Sequence, residues 1–309
     1  LIVQDTKAAQ VNFATTSGVD SQHKPLAGKV EIHQTTQPVE VVVYRNERFS
    51  IQARVSDNSG VVNDARLIIG DIAGITTDST TYNKDHRAKC GTQDNPYVLT
   101  ISGTIDSHMK LTTTDQSGRT YNAYTRKVQT WDGVDNTQQT DVKFIIKEQA
   151  AQFDSANVAG RTQSISVNKP LAYKAEDFVS EATKKLLSSA NGGVTSYTFK
   201  GGAPSTSAVN EDGMAVSVLA HFSDGSTKEI QGTLVVTDAN APVVTFVKHN
   251  TSGKSNVVDI DNEQRTITVY RNEDFSVDVR VVDDSGIVND AKLSNKGNAV
   301  VSFPNATIT

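Results

Sequence analysis

A stretch of 25 residues occurs twice in this chain. Positions 43–67, opening Val43-Tyr44-Arg45-Asn46-Glu47, return at 269–293 as Val269-Tyr270-Arg271-Asn272-Glu273, with 17 of 25 residues identical at a constant offset of 226. Chance does not produce such a match. A period of 226 is too long for a solenoid or a propeller blade, so each period must hold more than one domain. Within its 309 residues the chain contains one whole period and the opening of the next.

The first part of the period reads as β-structure. Phe49-Ser50-Ile51-Gln52-Ala53-Arg54-Val55 alternates apolar and polar residues, and Tyr97–Ile101, Ala123–Trp131 and Val142–Ile146 are further short runs. Turn residues separate them, as at Asp57-Asn58-Ser59-Gly60 and Asp132-Gly133. That pattern predicts a mainly β fold opening on an immunoglobulin-like sandwich. Further on, Ala175 to Ala190 carries an apolar stripe of Phe178, Val179, Ala182, Leu186 and Leu187, stopped by Asn191-Gly192, which predicts one helix. Strand-like runs flank it, so a small α+β domain follows the sandwich. The expected division is a 1–10 extension, a sandwich over 11–149, an α+β domain over 150–240, and the start of a second sandwich over 241–309.

Several functions are excluded at this level. Thirty basic against 35 acidic residues give a net charge of −5, which leaves no cationic surplus to neutralise a nucleic-acid backbone. No apolar run approaches the ~20 residues of a membrane-spanning helix. Cys90 is the sole cysteine, so neither a disulfide framework nor a thiolate zinc cage is available. The chain lacks Gly-x-Ser-x-Gly, His-Glu-x-x-His and a phosphate-cradling glycine loop, and its six histidines are scattered. A non-enzymatic protein without a cofactor is expected. Neither end shows a leader or an anchor, and the chain reads as a piece of something longer.

Two features point to ligands. Asp57, Asp64, Asp283, Asp284 and Asp290 lie in polar loops that could offer oxygen to a structural Ca2+, although Asx side chains more commonly build turns. The stretch from Ser107 to Thr130 holds Lys110, Arg119, Arg126 and Lys127 against Asp115, a local charge of +3 in an acidic chain. Tyr121 and Tyr124 lie among its hydroxyls. Such a patch suits a small anionic ligand with a polar body, an acidic sugar for example. The planar arginine fork matches a carboxylate in two parallel hydrogen bonds. The alternative is that Arg126 and Lys127 are solvated strand residues.

Tyr124-Thr125-Arg126-Lys127, on a late strand of the sandwich, resembles the aromatic-Thr-Arg-x motif of the Siglec-like binding regions of streptococcal serine-rich repeat adhesins. The organisation is similar as well: a V-set-like sandwich, a small "Unique" domain, then a tandem repeat. The resemblance implies a lectin module binding terminal sialic acid, α2,3-linked to galactose, on host glycoproteins such as salivary mucins or platelet glycoproteins. Arg126 would pair with the sugar carboxylate, Tyr124 would contact the sugar, Thr125 would hydrogen-bond it, and Lys127 fills the variable position. Three loops would select the glycan, near Ile72–Asn95 (with Lys84, His86, Arg87 and Lys89), Asp106–Asn122 and Gly133–Gln139. The expected setting is extracellular and monomeric, held to a bacterial cell wall by segments outside this sequence. A non-binding stalk of tandem sandwiches and a sandwich that adds a protein strand at its edge are the competing readings.

Overall fold

The computed structural model describes residues 5–16, 29–68, 75–78, 90–116, 118–134, 136–249, 258–273, 275–288 and 291. Among the described residues, ten strands form the first sandwich: β1 (Gln10–Thr15), β2 (Glu31–His33), β3 (Val39–Tyr44), β4 (Arg48–Ser56), β5 (Val62–Ile68), β6 (Ile75–Asp78), β7 (Tyr97–Thr104), β8 (Thr113–Thr114), β9 (Thr120–Asp132) and β10 (Thr137–Lys147). One sheet runs β1-β4-β7-β6 and the other β2-β3-β10-β9-β5, with β8 also on β9. These are the A-B-E-D and C-F-G arrangements of an immunoglobulin sandwich, extended by β3 lying parallel to β10. The expected mainly β, V-set-like fold is the one observed.

Period-two patterning builds the core. In β4, Phe49, Ile51, Ala53 and Val55 all point inward and are at most 1% exposed; Val142, Phe144 and Ile146 of β10 are fully buried. The Phe49 and Phe144 rings meet at a centroid distance of 6.3 Å, tilted by 56°. Burial thus supplies what a disulfide supplies elsewhere, and Cys90 is free and half-buried.

Glu47, in the turn between β3 and β4, is 5% exposed. Its Oε1 accepts from Gln149 Nε2 (2.8 Å), Gln152 Nε2 (3.0 Å) and Asn191 N (2.9 Å). Beside it, Arg45 reaches Asp224 with Nη2 at 3.0 Å, and the Asp224 side chain is wholly buried. Asn46 takes a left-handed φ of 56°, which an Asn tolerates better than most residues.

After the sandwich come β11 (Thr162–Ser166), α1 (Glu181–Leu187), β12 (Val194–Phe199), β13 (Asn210–Phe222) and β14 (Thr227–Thr237). The helix expected over 175–190 is in fact broken. A 3-10 turn covers Ala175–Phe178, Val179 is extended at φ −104° and ψ 132°, and α1 then starts from Ser180, whose Oγ accepts from Thr183 N at 3.2 Å. The break has a cause in the fold, since β-branched Val179 is drawn into a bridge with Gly160. Gly160 fits there because a Cβ would lie 2.0 Å from the Gln231 carbonyl oxygen.

The second copy opens with β15 (Val243–Lys248), β16 (Val258–Asp261), β17 (Thr266–Val269) and β18 (Val277–Val282). Strands β15 and β18 pair from Val243↔Val282 to Lys248↔Val277, repeating the six-pair ladder Gln10↔Ser56 to Thr15↔Ile51 of β1 and β4. Asn272 repeats the positive φ of Asn46 at 63°, and Gly286 that of Gly60. Structurally, the chain falls into two compact units. One comprises 1–161, 174–202 and 216–232; the other comprises 162–173, 203–215 and 233–309. Among the described residues, no helix is long and apolar enough to cross a membrane.

Candidate functional site

Strand β9 carries all four residues singled out in the sequence. Its alternation turns Asn122, Tyr124, Arg126 and Val128 to one face and Ala123, Thr125 and Lys127 to the other. Val128 is fully buried, so the first of these is the inward face. Toward Arg126 the burial relaxes, leaving Tyr124 and Arg126 half-buried, while Thr125 and Lys127 are exposed. The Tyr124 ring packs on the core cluster. Arg126 places its guanidinium carbon 5.6 Å from the centre of that ring, and its Nη1 donates to the Thr125 carbonyl at 2.8 Å. A cation over a ring at this distance gains about 0.5–1 kcal/mol at an exposed site. The arginine head is therefore oriented by its own strand.

The Thr125 and Lys127 side chains do not join that pair. Lys127 faces the other way and donates at 2.7 Å to Oδ1 of Asp141, its register partner across the ladder. Asp141 thus offsets part of the local positive charge that the sequence suggested.

The neighbouring loops are fastened. Asn122 is 8% exposed; its Oδ1 accepts from Thr112 N (2.9 Å) and Thr112 Oγ1 (3.1 Å), and its Nδ2 donates to the Lys110 carbonyl (2.9 Å). This one amide ties the loop before β8 to β9 beside Tyr124. Asp132 does the same for the loop after β9, accepting from Val134 N at 2.9 Å, Asn136 N at 2.8 Å and Asn136 Nδ2 at 2.7 Å. Neither role was read from the sequence, although an Asn at an inward position of a strand is the signal that marks Asn122. Of the loop near Ile72–Asn95, positions 72–74 and 79–89 lie outside the described residues, and with them Lys84, His86, Arg87 and Lys89.

On the side of β9 away from β10, β5 pairs from Lys127 to Asp132 and β8 pairs with Thr120 and Tyr121. Among the described residues, no strand lies against 122–126 on that side.

Of the aspartates considered for a cation, Asp64 is engaged elsewhere. It is buried and accepts from Ala65 N at 2.8 Å, Arg66 Nε at 2.7 Å and Tyr97 OH at 3.3 Å. Asp290 lies outside the described residues. Asp57 stands with Asp5 and Asp132, and Asp283 with Asp238 and Asp284.

The GspA/SrpA SigLec-like domain family matches residues 29–152 and 257–309, more than half of the chain and parts of both copies. The chain belongs to that family. The resemblance to the Siglec-like regions of streptococcal serine-rich repeat adhesins, drawn from 124–127 and from the repeat, holds. Among solved structures, the chain is similar to the SrpA adhesin from Streptococcus sanguinis, with 18% identity, a TM-score of 0.38, and coverage of 77% of this chain and 98% of that one. It is similar also to the sialic acid binding region of the Streptococcus sanguinis SK1 adhesin bound to 3'sLn, with 18% identity, a TM-score of 0.40, and coverage of 84% and 74%. No curated protein sequence matches the chain.

Proposed function

We propose that this chain is a surface adhesin module that binds terminal sialic acid, α2,3-linked to galactose, on host glycoproteins. The observation that carries the reading is the Tyr124–Arg126 pair, a guanidinium oriented over a half-buried ring on β9. Family membership supports it, as does a family relative described as a sialic acid binding region bound to a sialylated glycan.

Each residue takes a role from its place. Arg126 pairs with the carboxylate, the one feature that distinguishes sialic acid from neutral sugars. Tyr124 presents a ring edge and hydroxyl to the sugar while holding the guanidinium. Thr125 acts through its carbonyl, which fixes Arg126 Nη1, and offers its hydroxyl at the rim. Lys127 fills the variable position, its side chain paired with Asp141 on the opposite face. In this reading a sandwich over 11–149 bears the site, an α+β domain over 150–240 follows it in sequence, and other segments hold the protein to a cell wall.

A charge-assisted arginine–carboxylate contact contributes about 1.5–3 kcal/mol, so a single shallow sugar site binds weakly. Tethered copies raise avidity through effective concentration, which gives the 226-residue repeat a purpose. The counterpart of Arg126 in the second copy falls at position 352, past the last residue of this sequence. Immobilised mucin tests the proposal. The chain should bind the native mucin and lose binding after sialidase treatment; binding that survives sialidase refutes it and favours strand addition to a protein.

A further inference from the structure

Both copies contain an acidic cluster with carboxylate oxygens that nothing satisfies. Asp5, Asp57 and Asp132 bring one oxygen each within 4.8 Å of one another, and Asp238, Asp283 and Asp284 do the same. The clusters are related by the repeat. Asp57 and Asp283 are the same position at the 226-residue offset, and Asp284 takes the place of Asn58. Asp5 and Asp238 each stand five residues ahead of the first strand of their copy.

Acidic residues close together on a surface are ordinary. Here, however, Asp5 Oδ2, Asp57 Oδ2 and Asp283 Oδ2 are shielded from solvent and accept no hydrogen bond. Asp283 is only 8% exposed and Asp132 is fully buried. The remaining oxygens are used: Asp57 Oδ1 accepts from Ser59 N at 2.7 Å, and Asp283 Oδ1 accepts from Ser285 N at 2.8 Å and from Ser285 Oγ. In both turns one oxygen holds the loop and the other is left without a donor. A buried acceptor without a donor is costly, and like charges at this spacing repel. A cation removes both penalties at once.

We propose that each copy binds one Ca2+, which clamps the segment entering the sandwich to the turn after its second long strand. Asp5 is clamped to Asp57 and Asp132 in the first copy, and Asp238 to Asp283 and Asp284 in the second. The chemistry selects calcium. All the ligands are hard carboxylate oxygens, with no histidine or cysteine for zinc. Three protein carboxylates converging on one site suit calcium, which takes about 6–8 oxygens in flexible geometry, whereas magnesium keeps several waters and is held by one or two carboxylates. The counterpart of Asp132 in the second copy falls at 358, outside this sequence, and there Asp284 supplies the third carboxylate from within the turn. The inference stands independently of the glycan reading.

Trp131, the single tryptophan of the chain, adjoins Asp132 and can sensitise Tb3+ bound in the first cluster. The 309-residue chain, stripped with chelator, should bind two Ca2+ in equilibrium dialysis and raise Tb3+ emission on tryptophan excitation. Ca2+ should displace the Tb3+ at far lower concentration than Mg2+. Asp57→Asn should bind one Ca2+ and lose the emission; Asp283→Asn should bind one and keep it. Both variants should melt in chelator no lower than the parent, since repulsion is relieved, and each should lose part of the Ca2+-induced rise in melting temperature. Asn58→Asp, whose parent side chain touches Asp5 Oδ1 at 3.3 Å, should tighten the first site severalfold. Absence of Ca2+ binding at millimolar concentration, stoichiometry unchanged in both variants, or occupancy of one cluster alone overturns the proposal.

Discussion

Arg126 and Tyr124 lie two residues apart on the inward face of β9, with the guanidinium carbon 5.6 Å from the ring centre. Strand alternation makes this pairing, since residues at i and i+2 share a face. The ring and the Thr125 carbonyl both orient the arginine, which on the proposed reading would lower the entropy lost on binding.

That relationship predicts the behaviour of Tyr124. Tyr124→Phe keeps the ring and should weaken sialoglycan binding only through the lost hydroxyl. Tyr124→Ala also removes the ring under the guanidinium, so a further loss of about two- to fivefold is expected from a cation–π contact of ~0.5–1 kcal/mol. Surface plasmon resonance on a sialylated glycan compares the two; equal losses contradict the orienting role.

Lys127 and Asp141 form an exposed cross-strand pair at 2.7 Å. Pairs of this kind contribute about 0–1 kcal/mol, so Lys127→Ala and Asp141→Ala should each shift stability by no more than that. Glycan affinity should also move little, because Lys127 points away from Arg126. A urea titration and the same binding assay check both.

Glu47 differs in kind. Its buried Oε1 accepts from two glutamine amides and the Asn191 backbone N–H. Glu47→Ala strands all three donors and should cost about 3–5 kcal/mol, measured by chemical denaturation. Glu47→Gln keeps one acceptor and should cost less.

Burial, together with the nearby Asp64 carboxylate, pushes the Tyr97 hydroxyl up to about 12. A folded value above the unfolded one gives stability that is complete below pH ~10 and is lost as pH rises through 12. Thermal melts between pH 9 and pH 12 should therefore show a fall in the parent that Tyr97→Phe reduces. Equal falls in both proteins contradict this assignment.

Much of the sandwich was legible because its strands obey a period of two. Phe49-Ser50-Ile51-Gln52-Ala53-Arg54-Val55 states its own inward face, and the structure puts Phe49, Ile51, Ala53 and Val55 in the core. The helix predicted over 175–190 is broken in the structure, because an apolar stripe at helical spacing does not reveal that Val179 is taken by a bridge to Gly160. At the site, sequence spacing put Tyr124, Thr125, Arg126 and Lys127 together, but only the pleat divides them into two faces. The Asp141 counter-charge and the Asn122 tether depend on partners 14 and 10 residues away, Lys127 and Thr112, which local patterning does not encode.

The Arg126→Glu variant tests the central claim most directly. Binding of parent and variant to an α2,3-sialylated glycan should be measured by calorimetry beside their thermal melts. The half-exposed position predicts unchanged melting, and loss of a contact of ~1.5–3 kcal/mol predicts affinity reduced at least tenfold. Undiminished binding by a folded variant would contradict the assignment of Arg126 as the carboxylate clamp.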